Sequence, residues 1–197
     1  MNRFKRVILV TGTPGVGKTA VSRLLAPRLG AWRFDLGEIV QREGLIVGVD
    51  KLRGSLVADM KRVSRRVQEI VRNCECDIII DGHYAVDVVL AKDVHLVFVL
   101  RREPDELKRL MESRGFGGGK LWENLAAEIL DVCLWDAVKA CGIEKVCEID
   151  VSGKTIEEVV EDIVSVLEGK EERRVGMVDW LGKLEAEGRL DEFLKFF

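Results

Sequence analysis

The sequence predicts a doubly wound α/β fold around a parallel five-stranded sheet, and three features predict it. Short continuous apolar runs recur along the chain, amphipathic helical stretches separate them, and glycines mark the passages between the two. The first run, Arg6-Val7-Ile8-Leu9-Val10-Thr11, lacks polar alternation, as a central parallel strand buried on both faces requires. From Lys18 the apolar residues Val21, Leu24, Leu25 and Leu29 recur at helical spacing until Gly30 stops the pattern. Residues 31–34 read as a second, short strand, followed by a short helix near 38–42 and a long helix over about 55–72. Residues 77–81 and 95–100 are two further buried strands and 145–151 a fifth. Asp77 reads as a solvated boundary residue. Helices are expected over about 105–113, 121–140 and 155–167, and right-handed crossovers would join the strands into one sheet.

Length and composition set the frame. A chain of 197 residues suits one full domain with appendages, and 47% hydrophobic with 33% charged residues is a folded globular composition. Residues 1–169 are expected to form the core and 170–197 a C-terminal helical appendage. In the latter Met177, Val178, Trp180, Leu181, Leu184, Leu190, Phe193, Leu194 and Phe197 make an apolar pattern that either packs on the core or meets a partner. A net charge of −3 excludes holding nucleic acid by bulk charge. Arg3, Lys5 and Arg6 precede an apolar run that breaks at Gly12, short of a signal-peptide core, and no stretch approaches a membrane span. A cytoplasmic protein without membrane contact is expected, as a monomer or weak oligomer. The five cysteines, Cys74, Cys76, Cys133, Cys141 and Cys147, are odd in number and lack Cys-x-x-Cys spacing, which argues against a disulfide framework or a four-cysteine zinc site.

Directly after the first strand comes Gly12-Thr13-Pro14-Gly15-Val16-Gly17-Lys18-Thr19, the Gly-x-x-x-x-Gly-Lys-[Ser/Thr] phosphate loop. Glycines let successive N–H groups turn inward on a phosphate, and the following helix N-terminus adds its partial positive charge. The motif predicts ATP and Mg²⁺, with Lys18 on the β- and γ-phosphates and the Thr19 hydroxyl in the Mg²⁺ shell. Such a site needs a carboxylate at the end of a neighbouring strand, and Asp81 after Ile78-Ile79-Ile80 occupies that place. Two residues on, His83 either orients a water or an acceptor oxygen or caps a loop; His95 begins a strand and is assigned no role. Arg114-Gly115-Phe116-Gly117-Gly118-Gly119-Lys120 joins two helices. It reads either as a lid whose Arg114 and Lys120 meet phosphate charge or as a flexible connection. Lys61, Arg62, Arg65 and Arg66 line the long helix, facing RNA or an acceptor phosphate, or only solvent. No Asn-Lys-x-Asp guanine-reading motif occurs.

These residues together resemble the adenylate-kinase-like P-loop proteins of archaea and eukaryotes that act in small-ribosomal-subunit maturation, the adenylate kinase isoenzyme 6 type. The resemblance covers Val7 to about Asp150. It rests on the phosphate loop, Asp81-Gly82-His83, Val97-Phe98-Val99-Leu100-Arg101, Arg114-Gly115-Phe116, Glu123-Asn124-Leu125 and Ala127-Glu128-Ile129-Leu130-Asp131-Val132. It implies a P-loop NTPase fold of nucleoside monophosphate kinase architecture, with a short monophosphate-binding arm over about 35–57 and a lid over about 113–123. Implied activities are ATP:AMP phosphotransfer, with AMP or another monophosphate as acceptor, and ATP hydrolysis. Implied ATP contacts fall on Gly12, Gly15, Gly17, Lys18, Thr19, Ala20 and Arg114, with Asp81 and His83 serving hydrolysis. Implied partners are a small-subunit ribosomal protein of the S-eleven type and the pre-small subunit, whose 16S rRNA matures late. In Leu36-Gly37-Glu38-Ile39-Val40, Gln41 follows where relatives often carry an arginine, and Arg42 sits one position on. Two alternatives stand beside this reading: an ATP-switched ribosome assembly factor with little turnover, and a small-metabolite kinase of the shikimate type, suggested by Gly117-Gly118-Gly119. No Asp-x-Asp follows the first helix to support the latter.

Overall fold

Four apolar runs become parallel strands because each must be buried on both faces, and only a sheet sandwiched between helices does that; the fifth strand, Trp32-Arg33-Phe34-Asp35, joins at the sheet edge and stays partly exposed. In the computed structural model, which describes residues 5–50 and 55–194, these are β1 (Val7–Thr11), β2 (Trp32–Asp35), β5 (Ile78–Asp81), β6 (Leu96–Arg101) and β7 (Val146–Asp150). Their spatial order is β2-β5-β1-β6-β7, with every pairing parallel. The helices are α1 (Lys18–Leu29), α2 (Leu36–Arg42), α3 (Met60–Asn73), the single turn α4 (Ala85–Val88), α5 (Pro104–Ser113), α6 (Gly118–Ile129), α7 (Val132–Cys141) and α8 (Ile156–Leu167). Two short helices, α9 (Trp180–Ala186) and α10 (Leu190–Leu194), end the chain, and β3 (Ile46–Asp50) pairs with β4 (Ser55–Ala58) in a separate antiparallel hairpin.

Alternation along each strand divides the core into two layers. Ile8, Val10, Ile79, Phe98, Leu100 and Ile149 pack beneath α1, α5, α6 and α8, whereas Val7, Leu9, Ile78, Ile80, Val97 and Val99 pack on α2, α3, α4 and α7. All five strands run the same way, but the side on which the chain adds them switches at β1, which lies between β5 and β6. Loops leaving the carboxyl ends of these strands therefore splay apart there and open a crevice.

Three features differ from expectation, and of the two outcomes expected for the appendage, packing on the core is the one seen. The helix expected from residue 55 starts at Met60, where the Asp59 side chain accepts the Arg62 N–H at 3.1 Å; the preceding segment, with β-branched Val47, Val49 and Val57, is the β3–β4 hairpin. The helix expected over 121–140 is two, broken at Leu130 and Asp131. Asp131 has φ +58°, and its carboxylate is held by the Arg101 guanidinium. Asp77 is buried and accepts Arg6 Nε and Nη2 at 2.8 and 2.6 Å, so it is an ion-pair anchor and not a solvated boundary. The appendage docks on the core: Val178, Trp180, Leu184 and Phe193 join the α1-side layer, and Arg189 grips Asp105 through two bonds of 2.9 Å. Arg3, residues 51–54 of the 35–57 segment and Phe197 lie outside the described residues.

Candidate functional site

The phosphate loop leaves β1 through Gly12, whose φ of +133° suits glycine, and where a Cβ would lie 2.4 Å from the Leu100 carbonyl oxygen. It enters α1 through Gly17 at φ +115°, and no side chain caps the helix, whose first turn carries no acidic residue. The N–H groups of Lys18, Thr19 and Ala20 are thus left to an outside acceptor, with the positive helix end behind them. Lys18 Nζ folds back onto the loop, donating to the Gly12 and Thr13 carbonyls at 2.7 and 2.9 Å. Burial lowers its pKa to about 8, against the pull of Cys133, Asp81, Glu128 and Asp35. A bound polyanionic phosphate would raise it again.

Beside the lysine lies an oxygen cluster. Asp81 ends β5 and Asp35 ends β2, and the two stand opposite each other in the parallel register. The Thr19 hydroxyl lies 3.4 Å from an oxygen of each. Arg33 donates to Asp35 at 2.7 Å, and its Nε is 2.8 Å from Asp81 Oδ2 but misaligned, which leaves both buried atoms without a formed hydrogen bond. Burial, then Asp35, raises the Asp81 pKa, while Arg33 and Lys18 oppose. A hydroxyl and two carboxylates suit a hard divalent ion such as Mg²⁺, which keeps several waters and takes phosphate oxygens. Among the described residues no group of three or more His, Cys, Asp or Glu side chains is placed to hold a metal ion.

His83 follows Asp81 across one turn, its ring edge-on to Tyr84 with centroids 4.6 Å apart. His83 is exposed to solvent and lines the crevice. Desolvation, then Lys18 and Lys120, lowers its pKa, so the imidazole is neutral at physiological pH. Lys18, Thr19, Asp35, Asp81, His83 and Lys120 share a cavity of about 680 Å³ with an apolar wall of Val40, Leu56, Val57, Ala58 and Met60. Gln41 lines this cavity too, whereas Arg42 points outward and pairs with Glu43 at 3.5 Å.

The structure therefore brings Gly12, Lys18, Thr19, Asp81 and His83 together. It does not bring Arg114 to them: Arg114 is exposed and lines a separate cavity of about 600 Å³ with residues 115–119, Lys120 and Glu123, and among the described residues only Lys120 reaches both cavities. Gly15 lies in the loop over Met111 and Leu107, and Ala20 is exposed on α1. Sequence reasoning missed Asp35 and Arg33, although an aspartate at the carboxyl end of a strand is the same signal that marked Asp81. It also missed Glu128 and Arg102, which brace the loop from behind. Glu128 Oε2 accepts the Thr13 hydroxyl at 2.6 Å, and Arg102 Nε donates to the Val16 carbonyl at 3.2 Å.

A parallel sheet with a phosphate loop at its switch point and carboxylates on the adjacent strands defines a P-loop α/β protein of kinase type. The chain belongs to the AAA-domain family, whose model matches residues 8–131, and within it to the archaeal adenylate-kinase-like proteins. It is 39% identical over 176 residues to a Methanocaldococcus jannaschii protein named "putative adenylate kinase", covering 89% of this chain and 93% of that one. A protein of the same name from Thermococcus kodakarensis is 39% identical over 183 residues, covering 88% and 92%. Among solved structures, the shikimate kinase of Acinetobacter baumannii in complex with shikimate aligns with TM-score 0.62 at 16% identity, over 86% of this chain and 96% of that one. A Sinorhizobium meliloti gluconokinase aligns with TM-score 0.54 at 15% identity, over 86% and 95%. At such identities the likeness shows the fold. Among the described residues no helix is long and apolar enough to cross a membrane.

Proposed function

We propose that this chain transfers the γ-phosphoryl group of Mg²⁺·ATP to a nucleoside monophosphate, AMP first, with slower hydrolysis of ATP, in the cytoplasm. One observation carries the reading: a single cavity joins the Lys18 phosphate site and the Asp35–Asp81 cluster to an apolar wall on the β3–β4 hairpin. The loop N–H groups and Lys18 would hold the β- and γ-phosphates of ATP, and Thr19, Asp81 and Asp35 the ion, which supplies charge neutralisation along the phosphates. His83, neutral and facing the same space, would donate its ring N–H to the attacking phosphate oxygen of the acceptor, or in hydrolysis accept a hydrogen bond from the attacking water, and orient it. Leu56, Val57 and Met60 offer a surface to a planar base, and Gln41 an amide to its edge. Lys120 would meet the transferring phosphate when the 113–123 segment closes as a lid, with Arg114 swinging in from its outer cavity. The name adenylate kinase borne by the archaeal relatives supports AMP as acceptor.

Incubation with Mg²⁺·ATP and each nucleoside monophosphate in turn, following ADP formation, should show transfer to AMP faster than hydrolysis. If no monophosphate raises ADP formation above the hydrolysis rate, the kinase reading fails. A finer reading places the protein in late maturation of the small ribosomal subunit, bound to a ribosomal protein of the S-eleven type. The exposed Lys61, Arg62 and Arg65 on α3 support contact with RNA phosphates there. Co-precipitation with that protein should respond to ATP, ADP and Lys18→Ala; indifference to all three removes a nucleotide-switched role.

A further inference from the structure

We propose that Glu128 and Trp180 are positioning residues that hold the phosphate loop from the C-terminal appendage. The proposal rests on the reading of Gly12–Thr19 as a nucleotide phosphate site and not on which acceptor is used.

Glu128, on α6, is 1% exposed. Its Oε2 accepts the Thr13 hydroxyl at 2.6 Å, and its Oε1 accepts Arg101 Nε at 2.8 Å, the Arg102 N–H at 3.0 Å and the indole N–H of Trp180 at 3.3 Å. Thr13 in turn offers its carbonyl to Lys18 Nζ at 2.9 Å. A continuous buried path thus runs from Trp180 on α9 through one carboxylate and one loop residue to the phosphate-binding lysine. Arg101 draws the same appendage in by a second route. It pairs with Glu148 at 2.6 Å, and the other Glu148 oxygen accepts the Met177 N–H at 2.7 Å.

Packing alone does not require this arrangement, because a phenylalanine would occupy most of the Trp180 site without the donor. What the indole N–H adds is direction. With Arg101 Nε and the Arg102 N–H on the same oxygen, it sets the Glu128 carboxylate plane, which aims Oε2 at Thr13, and a loop that binds phosphate through the orientation of its N–H groups is sensitive to small rotations at Thr13. Occupation of the loop, which draws Lys18 away from the Thr13 carbonyl, should be felt at the indole in return.

The test is Mg²⁺·ATP affinity by calorimetry for the full chain and for Trp180→Phe, Thr13→Val and the double variant. We expect Trp180→Phe to weaken binding about fivefold and Thr13→Val about tenfold, the loss of one well-placed hydrogen bond in each case. The double variant should be no weaker than Thr13→Val, since both cut one path. Wild-type affinity in Trp180→Phe, or a double variant weakened about fiftyfold as for independent sites, overturns the proposal. Failure of the wild-type chain to bind Mg²⁺·ATP instead overturns the phosphate-site reading beneath it. Should a variant not fold, the assigned indole N–H resonance of Trp180 in the wild-type protein decides. It should shift on Mg²⁺·ATP addition, and an unmoved resonance under saturating nucleotide overturns the relay.

Discussion

The phosphate loop and the β3–β4 hairpin face each other across one cavity, and they are held in opposite ways. The loop springs from β1, buried along its whole length, and is clasped by Glu128, Arg102 and the Leu100 backbone. The hairpin is a two-stranded ribbon outside the main sheet, and Val47, Val49, Leu56 and Val57 on it are largely exposed. Two strands alone bury too little to be rigid. In the proposed reaction, gripping phosphate thus falls to an element built into the core, and contact with the acceptor to one that stands outside the main sheet.

Substitutions on the two sides sharpen this contrast. Lys18→Ala removes the cation inside the loop and should lower turnover about 10³-fold while leaving the melting temperature close to wild type, checked by steady-state kinetics beside thermal unfolding. Leu9→Ala, in the fully buried β1, should cost about 3 kcal/mol of stability by urea unfolding; a cost within about 0.5 kcal/mol would mean that the loop is not anchored by the strand beneath it.

Acidity gives the next test. The Lys18 pKa stands at about 8 in the free protein, and bound phosphates raise it. Below about pH 7 the amine is charged with or without nucleotide, so binding takes up no proton there. Above pH 8 it is neutral when free and charged when bound, so uptake should approach one proton, and affinity should fall about tenfold per pH unit. Calorimetry in two buffers of different ionisation enthalpy measures this directly. Equal uptake at pH 6.5 and 9 would mean that Lys18 is charged in the free protein at both pH values, so that burial does not lower its pKa.

On the hairpin side, Leu56→Ser with Val57→Ser should raise the KM for AMP about fivefold and leave the KM for ATP unchanged, with loss of stability under about 1 kcal/mol. A matching rise in the KM for ATP would show that the hairpin serves the whole cavity and not the acceptor.

Much of the fold was legible because parallel strands and amphipathic helices write their burial into consecutive residues. The hairpin was not: in the stretch from Ile46 to Ala58 a helix start and a β-strand share the same short apolar spacing, and only pairing between the two halves chooses the strand. The break at Asp131 escaped for a related reason, since its left-handed backbone is held by Arg101, thirty residues away in the chain.

The sequence by itself determined the phosphate loop, Gly12 to Thr19, because eight contiguous residues suffice when the binding groups are backbone N–H groups and one lysine. It also marked Asp81 by its place at a strand end. Only the tertiary structure decided what surrounds them. The strand order sets Asp35 against Asp81, Lys120 and not Arg114 faces the cavity, and Glu128 joins Thr13 to Trp180. Each is a meeting of residues far apart in the chain, governed by how layers stack and by which buried polar groups must find partners, and no local pattern records it.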